Sequence, residues 1–257
     1  MHNRFGNASS RGIFVSPRAT LGEGVKLGDG VQIFGPAEIG DGCWIDAGVA
    51  IGYPAGETIA KARGAVEAEA DSGTLEALFE AVVVAPTTLG PDSFIRRGTV
   101  IYEGCRVGAR LDCAHHVIVR EGCVLADDVE LGPLSYLKRD CSVGAYSRIA
   151  AEICDRTVVG RHCTVYGRTI HKFLVGVSGV VERAPVLEDG AVIGRDACVV
   201  GSIVVGRLSL VGAGSVVTRS VPPETVVVGN PAHFLRKRSS SEAPELWSRV
   251  EGPSNSD

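Results

Sequence analysis

The chain is poor in aromatic residues and contains no long apolar run. Phe, Tyr and Trp make up 5% of its 257 residues, which excludes a broad core built from aromatic side chains. No stretch approaches the roughly 20 consecutive apolar residues of a membrane-spanning helix. Residues 1–14 lack the apolar segment of a secretory signal. The sequence therefore predicts a cytoplasmic protein without a membrane partner.

An excess of positive charge is also absent. There are 26 Lys and Arg residues against 30 Asp and Glu residues, a net charge of −4, which argues against nucleic acid as the main partner. Hydrophobic residues account for 45% of the chain, and 33 residues are glycine. This combination suits a narrow interior filled by small and β-branched side chains.

A six-residue repeat runs through most of the chain. A large aliphatic residue recurs at every sixth position over 15–51 and 89–149, over 153–165 after a two-residue shift, and over 187–217. Cys113 is the one exception among about twenty-seven such positions. The residue after the aliphatic one is often Gly, and the residue four positions after it is small. No other feature of the sequence is as regular, so the repeat determines the fold prediction.

The repeat predicts short strands joined by tight corners. The aliphatic and the small residue point inward, and Gly permits the backbone torsions of the corner. Successive coils then stack as parallel strands about 4.8 Å apart, because a single coil cannot bury its own apolar face. The sequence predicts an all-β protein, a parallel β-helix.

Two insertions and a tail interrupt this pattern. Residues 53–88 form a helical arm, with one helix over 57–70 and a second one after Gly73; it packs on the outer wall or a neighbouring subunit, or it is a lid over a site. Residues 168–186 form a loop. Residues 238–257 form a disordered tail behind a single domain of residues 1–237.

Six of the eight cysteines fall on inward positions of the repeat. Cys113 takes an aliphatic position, and the small position is occupied by Cys43, Cys105, Cys123, Cys141 and Cys163. We therefore expect buried structural thiols and not disulfides, metal ligands or a redox pair.

The pattern [LIV]-G-x-x-[STAVC]-x resembles that of the hexapeptide-repeat acyltransferases. The segment 226–232, Val-Val-Val-Gly-Asn-Pro-Ala, followed by Arg236 and Lys237, is similar to the usual end of the domain in that family. The resemblance implies a left-handed β-helix with three hexapeptides per triangular coil, so that twenty-seven steps make about nine coils. It also implies a homotrimer.

The resemblance extends to a candidate catalytic residue. In sugar and sugar-nucleotide acyltransferases of this family, the general base is a His four residues before an inward aliphatic, and His115 stands four before Val119. His116 replaces the usual Asp or Asn, and Arg120 replaces Gly. An acceptor amine or hydroxyl must lose a proton, which an imidazole can accept near neutral pH. Asp112 or a backbone carbonyl orients the ring.

Other histidines are weaker candidates for this role. His116 and His171 are alternatives for catalysis or substrate contact. We expect His162, next to the inward Cys163, to be a solvated surface residue.

The repeat also predicts vertical neighbours, because eighteen residues make one coil. Arg97 is expected one coil before His115, and Lys138 one coil after Arg120. These three basic residues would lie near the imidazole, where they form a binding site for an anionic substrate group or are simply solvated.

Coenzyme A binding is implied by the resemblance alone, in a groove between adjacent subunits. Acetyl-CoA, or another acyl-CoA, is the expected co-substrate, and no metal is expected. Backbone contacts are expected in the later coils, and basic side chains near the domain end are expected to meet the phosphates. These residues are Ala213, Gly214, Ser215 and Thr218 for the backbone, and Arg236 and Lys237 for the phosphates.

The leading hypothesis is an acyl-CoA-dependent acyltransferase that acetylates an amine or hydroxyl of a sugar or another small anionic acceptor. A second is a metal enzyme like the gamma-class carbonic anhydrases, which need three His around zinc; no H-x-x-x-x-H spacing occurs here. A third is a non-catalytic β-helix scaffold. A variant of the first takes the acyl group from an acyl carrier protein.

Overall fold

The computed structural model describes residues 12–68, 74–171 and 184–239. The chain divides between Cys141 and Ser142 into two compact units. Both units are built from short strands in which an outward residue precedes a buried one. In Asp112–Cys113, for example, Asp112 is exposed and Cys113 is fully buried.

The first unit contains sixteen strands and both helices. Their bounds are β1 (Phe14–Val15), β2 (Ala19–Leu21), β3 (Lys26–Leu27), β4 (Gln32–Ile33), β5 (Ala37–Ile39), β6 (Trp44–Ile45), β7 (Ala50–Tyr53), α1 (Gly56–Ala68), α2 (Leu75–Val82), β8 (Thr87–Leu89), β9 (Phe94–Ile95), β10 (Val100–Tyr102), β11 (Arg106–Val107), β12 (Asp112–Cys113), β13 (Ile118–Val119), β14 (Val124–Leu125), β15 (Glu130–Leu131) and β16 (Tyr136–Leu137).

The second unit contains the remaining strands. Their bounds are β17 (Ser142–Val143), β18 (Arg148–Ile149), β19 (Glu152–Ile153), β20 (Val158–Val159), β21 (Thr164–Val165), β22 (Arg168–Ile170), β23 (Val186–Leu187), β24 (Val192–Ile193), β25 (Cys198–Val200), β26 (Val204–Val205), β27 (Leu210–Val211), β28 (Val216–Val217), β29 (Thr225–Val228) and β30 (His233–Lys237).

Every third strand of the first unit pairs in parallel, which makes three faces. The strand orders are β1-β4-β7-β10-β13-β16, β2-β5-β8-β11-β14 and β3-β6-β9-β12-β15. Asp112 pairs with Glu130 and Val107 with Leu125, so residues eighteen apart are vertical neighbours. The predicted parallel β-helix and its eighteen-residue coil are confirmed.

The second unit repeats this arrangement after the predicted shift of phase. Its faces include β17-β20-β23-β26, β18-β21-β24-β27-β29-β30 and β22-β25-β28, and only β30 pairs antiparallel, with β29. Ser142 pairs with Val158 and Ile149 with Val165. Vertical neighbours are therefore sixteen residues apart at this point, because Ile153 follows Ile149 after four residues.

The estimate of about nine coils is slightly low. Three additional steps occur: Thr169 in β22, Val221, which bridges to Val205, and Val227 in β29. Three steps make one coil, so there is about one coil more than predicted. The loop insertion also begins later than predicted, because 168–170 is a strand; residues 172–183 of that loop lie outside the described residues.

Glycine has a different role from the one predicted. With the exception of Gly52, the glycines that follow the aliphatic residues have ordinary torsions. A Cβ at Gly90 would instead lie 2.4 Å from the carbonyl carbon of Gly108 in the next coil. Positive φ angles occur at other positions, such as Gly24 (φ 70°) and His116 (φ 56°). The predicted torsional role is therefore wrong for most of these glycines, which are needed for space between coils.

The two predicted helices of the arm are confirmed as α1 and α2. Thr74 caps α2, its hydroxyl oxygen accepting from the N–H of Ala77 at 3.3 Å. No described helix has the length and apolar character that a membrane span requires.

The arm packs against the wall of its own unit. Glu80 of α2 accepts hydrogen bonds from the Ser16 hydroxyl and the Arg18 Nε, both at 2.6 Å. The ring centroids of Phe79 and Phe34 are 5.8 Å apart. At the α1 end, the buried Glu103 accepts from the Ala55 N–H at 2.8 Å. These contacts match the predicted wall-packing role of the arm.

The predicted burial of the thiols is confirmed. All eight cysteines are thiols that form no disulfide, and the six on inward positions are at most 1% exposed. Burial raises the pKa of Cys113 to about 12 and that of Cys163 to about 11, so these thiols stay protonated at neutral pH.

Candidate functional site

His115 lies on the exposed corner between β12 and β13. The corner is a tight turn formed by His115 and His116. The carbonyl of His115 accepts from the N–H of Leu134 in the next coil at 3.1 Å, which holds the backbone in place. Within the described residues, no side chain or backbone group forms a hydrogen bond with the imidazole of His115. The ring is therefore open to an incoming acceptor.

His116 occupies the strained position of this turn. Its φ is 56°, a region that His, Asn and Asp enter more readily than most residues. Its N–H donates to the carbonyl of Arg97 at 3.0 Å. Its ring lies over Gly98, where a Cβ would be 2.4 Å from Nδ1. The centroids of the His115 and His116 rings are 6.5 Å apart, so the two imidazoles are neighbours with different surroundings.

Arg97 lies directly below His115, as predicted. The register that pairs Cys113 with Ile95 also aligns His115 with Arg97. The side chain of Arg97 is exposed, and its guanidinium forms no ion pair or hydrogen bond within the described residues. A cation is thus available beside the imidazole.

Asp112 does not orient the imidazole, contrary to expectation. Its carboxylate forms an ion pair with Arg96 of the coil below. Asp112 is the outward residue of β12, so its side chain projects from the flat face, whereas His115 lies on the corner. The proximity of the two residues in sequence therefore does not bring their side chains together.

The prediction of a single basic patch around the imidazole is wrong. Arg120 and Lys138 are vertical neighbours as predicted, since Val119 pairs with Leu137. They lie beyond the far end of β13, at the next corner. There Glu121 accepts two hydrogen bonds from the Arg120 guanidinium, at 2.7 and 2.9 Å.

The contacts of Arg120 leave little of its charge for a ligand. These hydrogen bonds with Glu121 raise the pKa of the guanidinium. The central carbon of the guanidinium lies 4.8 Å from the ring centroid of Tyr102, and its Nη1 donates to the hydroxyl of Tyr136 at 3.4 Å. Lys138 lies over the other side of this cluster, 5.8 Å from the Tyr136 ring. Arg120 is held in place by its own unit.

The remaining histidine predictions concern the second unit. His162 is 3% exposed, and its ring stacks on that of Tyr146 with 5.0 Å between the ring centroids. The expectation that His162 is a solvated surface residue is therefore wrong. Its burial lowers its pKa. His171 follows β22 and is partly buried, and its Nε2 is enclosed without a hydrogen-bond partner among the described residues.

The predicted coenzyme A residues lie in the second unit and have mixed exposure. Ala213 and Gly214 form an exposed turn, Thr218 is exposed, and Arg236 and Lys237 are exposed on β30. The Gly214 N–H already donates to the carbonyl of Arg195 at 2.9 Å.

Ser215 does not fit its predicted role in contacting coenzyme A. It is completely buried, and its hydroxyl oxygen accepts from the N–H of Gly229 at 3.0 Å. Its own N–H donates to Gly212. Ser215 is an inward residue of the coil, so an outside ligand cannot reach it.

Potential metal ligands do not cluster within the described ranges. No group of three or more His, Cys, Asp or Glu residues there has the proximity to hold a metal ion.

Three residues on the face next to the His115 corner were missed by sequence reasoning. Trp44 and Phe94 are the outward residues of β6 and β9, directly below Asp112 on the same face, and Arg96 joins Phe94 to Asp112. The repeat could have identified both aromatic residues as outward residues, because each of them immediately precedes an inward isoleucine.

Comparison with curated proteins finds relatives that match part of the chain. The bifunctional protein GlmU of Methylococcus capsulatus is 30% identical over 171 residues, which are 66% of this chain and 34% of that protein. Mitochondrial serine acetyltransferase 3 of Arabidopsis thaliana is 34% identical over 105 residues, 40% of this chain and 25% of that protein. The chain thus spans about a third of the length of such relatives, or less. No protein-family model matches it.

Comparison with solved structures supports the fold. The structure of Arabidopsis UDP-N-acetylglucosamine acyltransferase matches 96% of this chain and 85% of that protein, with a TM-score of 0.56 and 17% identity. At this identity the likeness concerns the fold alone, and it agrees with the predicted parallel β-helix.

Proposed function

We propose that the chain is a hexapeptide-repeat acyltransferase and that it transfers an acyl group from an acyl-CoA to a small acceptor. Its similarity to part of GlmU and to part of serine acetyltransferase 3 supports this proposal. The acyl group is acetyl, and the acceptor is an amine or hydroxyl of a sugar that carries negative charge. The observation that carries this proposal is the exposed corner on which the imidazole of His115 lies open, with the Arg97 side chain in the coil below.

In this proposal His115 is the general base. The acceptor nitrogen or oxygen attacks the thioester carbonyl carbon, and the imidazole takes the proton that the acceptor loses. The tetrahedral intermediate collapses, the carbon–sulfur bond breaks, and the thiolate of coenzyme A leaves. The imidazolium returns its proton to that sulfur. The products are the acylated acceptor and free coenzyme A.

Arg97 supplies the charge complementarity for the acceptor. A guanidinium binds a phosphate or carboxylate through paired hydrogen bonds, and that of Arg97 is exposed in the coil below His115. An acceptor anchored by its anionic group would keep its amine or hydroxyl within reach of the imidazole. The exposed residues Ala213, Gly214, Thr218, Arg236 and Lys237 remain the proposed contacts of coenzyme A, and a homotrimer remains the proposed assembly.

The test is an acyl-transfer assay with acetyl-CoA and a panel of amino sugars, sugar phosphates and nucleotide-linked sugars. Mass spectrometry identifies an acceptor whose mass rises by one acetyl group. Replacing the base in His115→Ala should lower kcat with that acceptor by about 10²- to 10⁴-fold, the usual contribution of a general base. His233→Gln, an exposed histidine in the second unit, is the matched control and should keep the wild-type rate.

Two outcomes would contradict the proposal. One is an unchanged rate in His115→Ala, which would remove His115 from the chemistry. The other is the absence of any acetylated product with every acceptor in the panel, which would favour a scaffold. Zinc bound stoichiometrically to the purified protein would favour the metal-enzyme alternative.

A further inference from the structure

Three valines form an exposed strip on one face of the second unit. Val158, Val186 and Val204 are the outward residues of β20, β23 and β26, and they are vertical neighbours. Val158 is 44% exposed, Val204 is 37% exposed, and Val186 between them is partly exposed. Single exposed apolar side chains are ordinary, whereas a contiguous row commonly marks a contact surface. We call Val158, Val186 and Val204 the valine strip.

The outward position of such strands does not by itself require an apolar residue. In the first unit, the outward residues of β2, β5, β8 and β11 are all polar: Thr20, Glu38, Thr88 and Arg106. These four residues are vertical neighbours in the same parallel pairing. The coil therefore forms equally well with polar residues at this position, and the apolar character of the valine strip has a reason that the repeat does not supply.

The last strand of the chain ends at the border of the face that holds the valine strip. β30 runs antiparallel to β29, and its last residue, Lys237, lies opposite Thr225, the first residue of β29. The chain therefore leaves β30 at the corner from which β29 starts. Arg238 is fixed at this corner, because its Nη1 donates to the carbonyl of Leu208 at 2.9 Å. Leu208 belongs to the turn that joins β26, the strand of Val204, to β27. The direction of β30 thus points from this corner towards the valine strip.

The sequence that follows Ser239 contains apolar residues at a suitable distance. Residues 240–257 lie outside the described residues and include Leu246, Trp247 and Val250. Seven residues separate Ser239 from Leu246 along the chain, and such a segment spans up to about 23 Å when extended. The valine strip covers two coil spacings, which are about 10 Å in total. These apolar residues can therefore reach every part of the strip.

Charges around the valine strip complement those of residues 240–257. Arg156 and Arg161, on the turns at either end of β20, are both exposed. Residues 240–257 contain four acidic residues against one basic residue, namely Glu242, Glu245, Glu251 and Asp257 against Arg249. Exposed charge pairs add little affinity, but they fix the direction in which a segment binds. A chain that descends the strip from the β26 coil brings Glu251 towards the two arginines at the β20 coil.

We propose that the valine strip is the docking site of the chain's own C-terminal segment, residues 242–250. Leu246 and Trp247 cover the valine side chains, in place of the disordered tail that the composition predicts. The segment is tethered a few residues away, so its effective concentration at the strip is in the millimolar range. A weak contact is therefore enough to keep it docked. The proposal does not depend on acyl transfer.

The size of the valine strip favours one short segment over a second copy of the chain. A stable interface between proteins buries about 800 Å² on each partner. Three partly exposed valine side chains present far less area than this. A single segment with two or three apolar side chains matches the strip in both length and width.

Tryptophan fluorescence of the full chain provides a direct test. The chain has two Trp residues, Trp44 and Trp247, so Trp44→Phe leaves Trp247 as the sole reporter. In this background Trp247 should emit at a shorter wavelength, and be less accessible to acrylamide, than in a synthetic peptide of residues 240–257. Val186→Lys should lower the ratio of docked to undocked segment by about 10-fold or more, because it places a charge in the apolar contact. Leu246→Ser should have the same effect without any change to the wall.

Val192→Lys is the matched control for the wall substitution. Val192 is the outward residue of β24, on the neighbouring face of the same unit, and it is partly exposed like Val186. This substitution should leave the emission of Trp247 unchanged. Release of the segment by Val192→Lys as well would contradict the assignment of the docking site to the valine strip.

A cross-link identifies the copy of the chain that supplies the segment. A double variant, Val204→Cys with Leu246→Cys, should form a disulfide on mild oxidation and still migrate as a monomer on a denaturing gel, because both thiols belong to one chain. Each single variant should form no such link. Two further results would overturn the proposal. They are a disulfide-linked dimer of the double variant, which would assign the strip to another copy, and a Trp247 as accessible to acrylamide as that of the peptide.

Discussion

At the scale of single residues, glycine serves two separate physical needs in the repeat. Gly90 follows an inward leucine and faces the backbone of the next coil, with no room for a Cβ. Gly24 has a φ of 70° but open space around its Cα. A side chain is excluded at Gly90 by the short distance between coils and is disfavoured at Gly24 by the backbone torsion. A sequence pattern cannot separate these needs, because both are met by the same residue type.

Alanine substitutions should separate the two needs. Gly90→Ala should destabilise the fold by about 1–3 kcal/mol, since the backbone of Gly108 must shift to admit the methyl group. Gly24→Ala should cost about 1–2 kcal/mol through its left-handed torsion alone. Chemical denaturation measures both values.

Gly64 is the matched control for these substitutions. It lies in α1 with nothing within 4 Å of an added Cβ, so Gly64→Ala should stabilise the protein by about 0.5–1 kcal/mol. Equal destabilisation at all three positions would contradict this explanation, because Gly64 has neither a close neighbour nor a left-handed torsion.

The site residues were predictable as far as the repeat fixes vertical neighbours. The eighteen-residue spacing aligns Arg97 with His115, and the structure has this alignment. The ion pair of Arg96 with Asp112 joins residues sixteen apart across a diagonal. Diagonal contacts depend on side-chain rotamers as well as on register. The eighteen-residue spacing therefore could not predict this ion pair. It also could not predict the hydrogen bonds from Arg120 to Glu121.

At the scale of elements, the carboxylate of Glu80 is one of the contacts that attach the arm to the wall. Burial alone would raise the pKa of Glu80, but hydrogen bonds from Arg18 and Ser16 lower it below the usual value for Glu. The contribution of this contact to stability is complete above the ordinary carboxyl pKa. It is lost as pH falls through the lowered value of the folded state.

Neutralising Glu80 should loosen α2 without unfolding the coils. In Glu80→Gln, the amides of residues 75–82 should exchange with solvent about fivefold faster, which corresponds to a partly exposed ion pair worth about 1 kcal/mol. Hydrogen exchange with mass spectrometry measures this, and lowering the pH of the wild type should have the same effect.

Glu57, in the first turn of α1, is the control for this substitution. It is exposed, so Glu57→Gln should leave the exchange of α2 unchanged. Wild-type exchange rates in Glu80→Gln would mean that the apolar contacts of Phe79 hold α2 by themselves.

The two helices of the arm could be predicted, but their packing partners could not. Helical spacing of Leu75, Leu78 and Phe79 predicts an apolar stripe. The residues that bind α2, Ser16 and Arg18, precede it by about sixty positions. Nothing in the hexapeptide pattern distinguishes their corner from the others before the chain is folded.

At the scale of the whole molecule, the repeat made most of the fold predictable because each coil contacts only its neighbours. The hexapeptide steps that the sequence did not predict lack an aliphatic residue in the six-residue phase. Thr169 replaces an inward aliphatic in β22, and Val221 falls outside the six-residue phase of Val217. Local departures of this kind are tolerated because neighbouring coils supply the missing apolar contacts.

The proposed homotrimer makes a prediction about mass. Light scattering on the eluting peak should give about three times the chain mass of 26.8 kDa. A monomer that retains acyltransferase activity would contradict an active site completed by a neighbouring chain.

The position of the arm has a consequence for how such a chain can change over evolutionary time. The chain leaves the wall after β7 and returns at β8, where Thr87 pairs with Ala37 and Leu89 with Ile39. The phase of the repeat is kept across this excursion. A gene can therefore acquire or lengthen a segment at this corner while every later strand keeps its pairing register. New recognition surfaces can arise there without a redesign of the coils that hold His115.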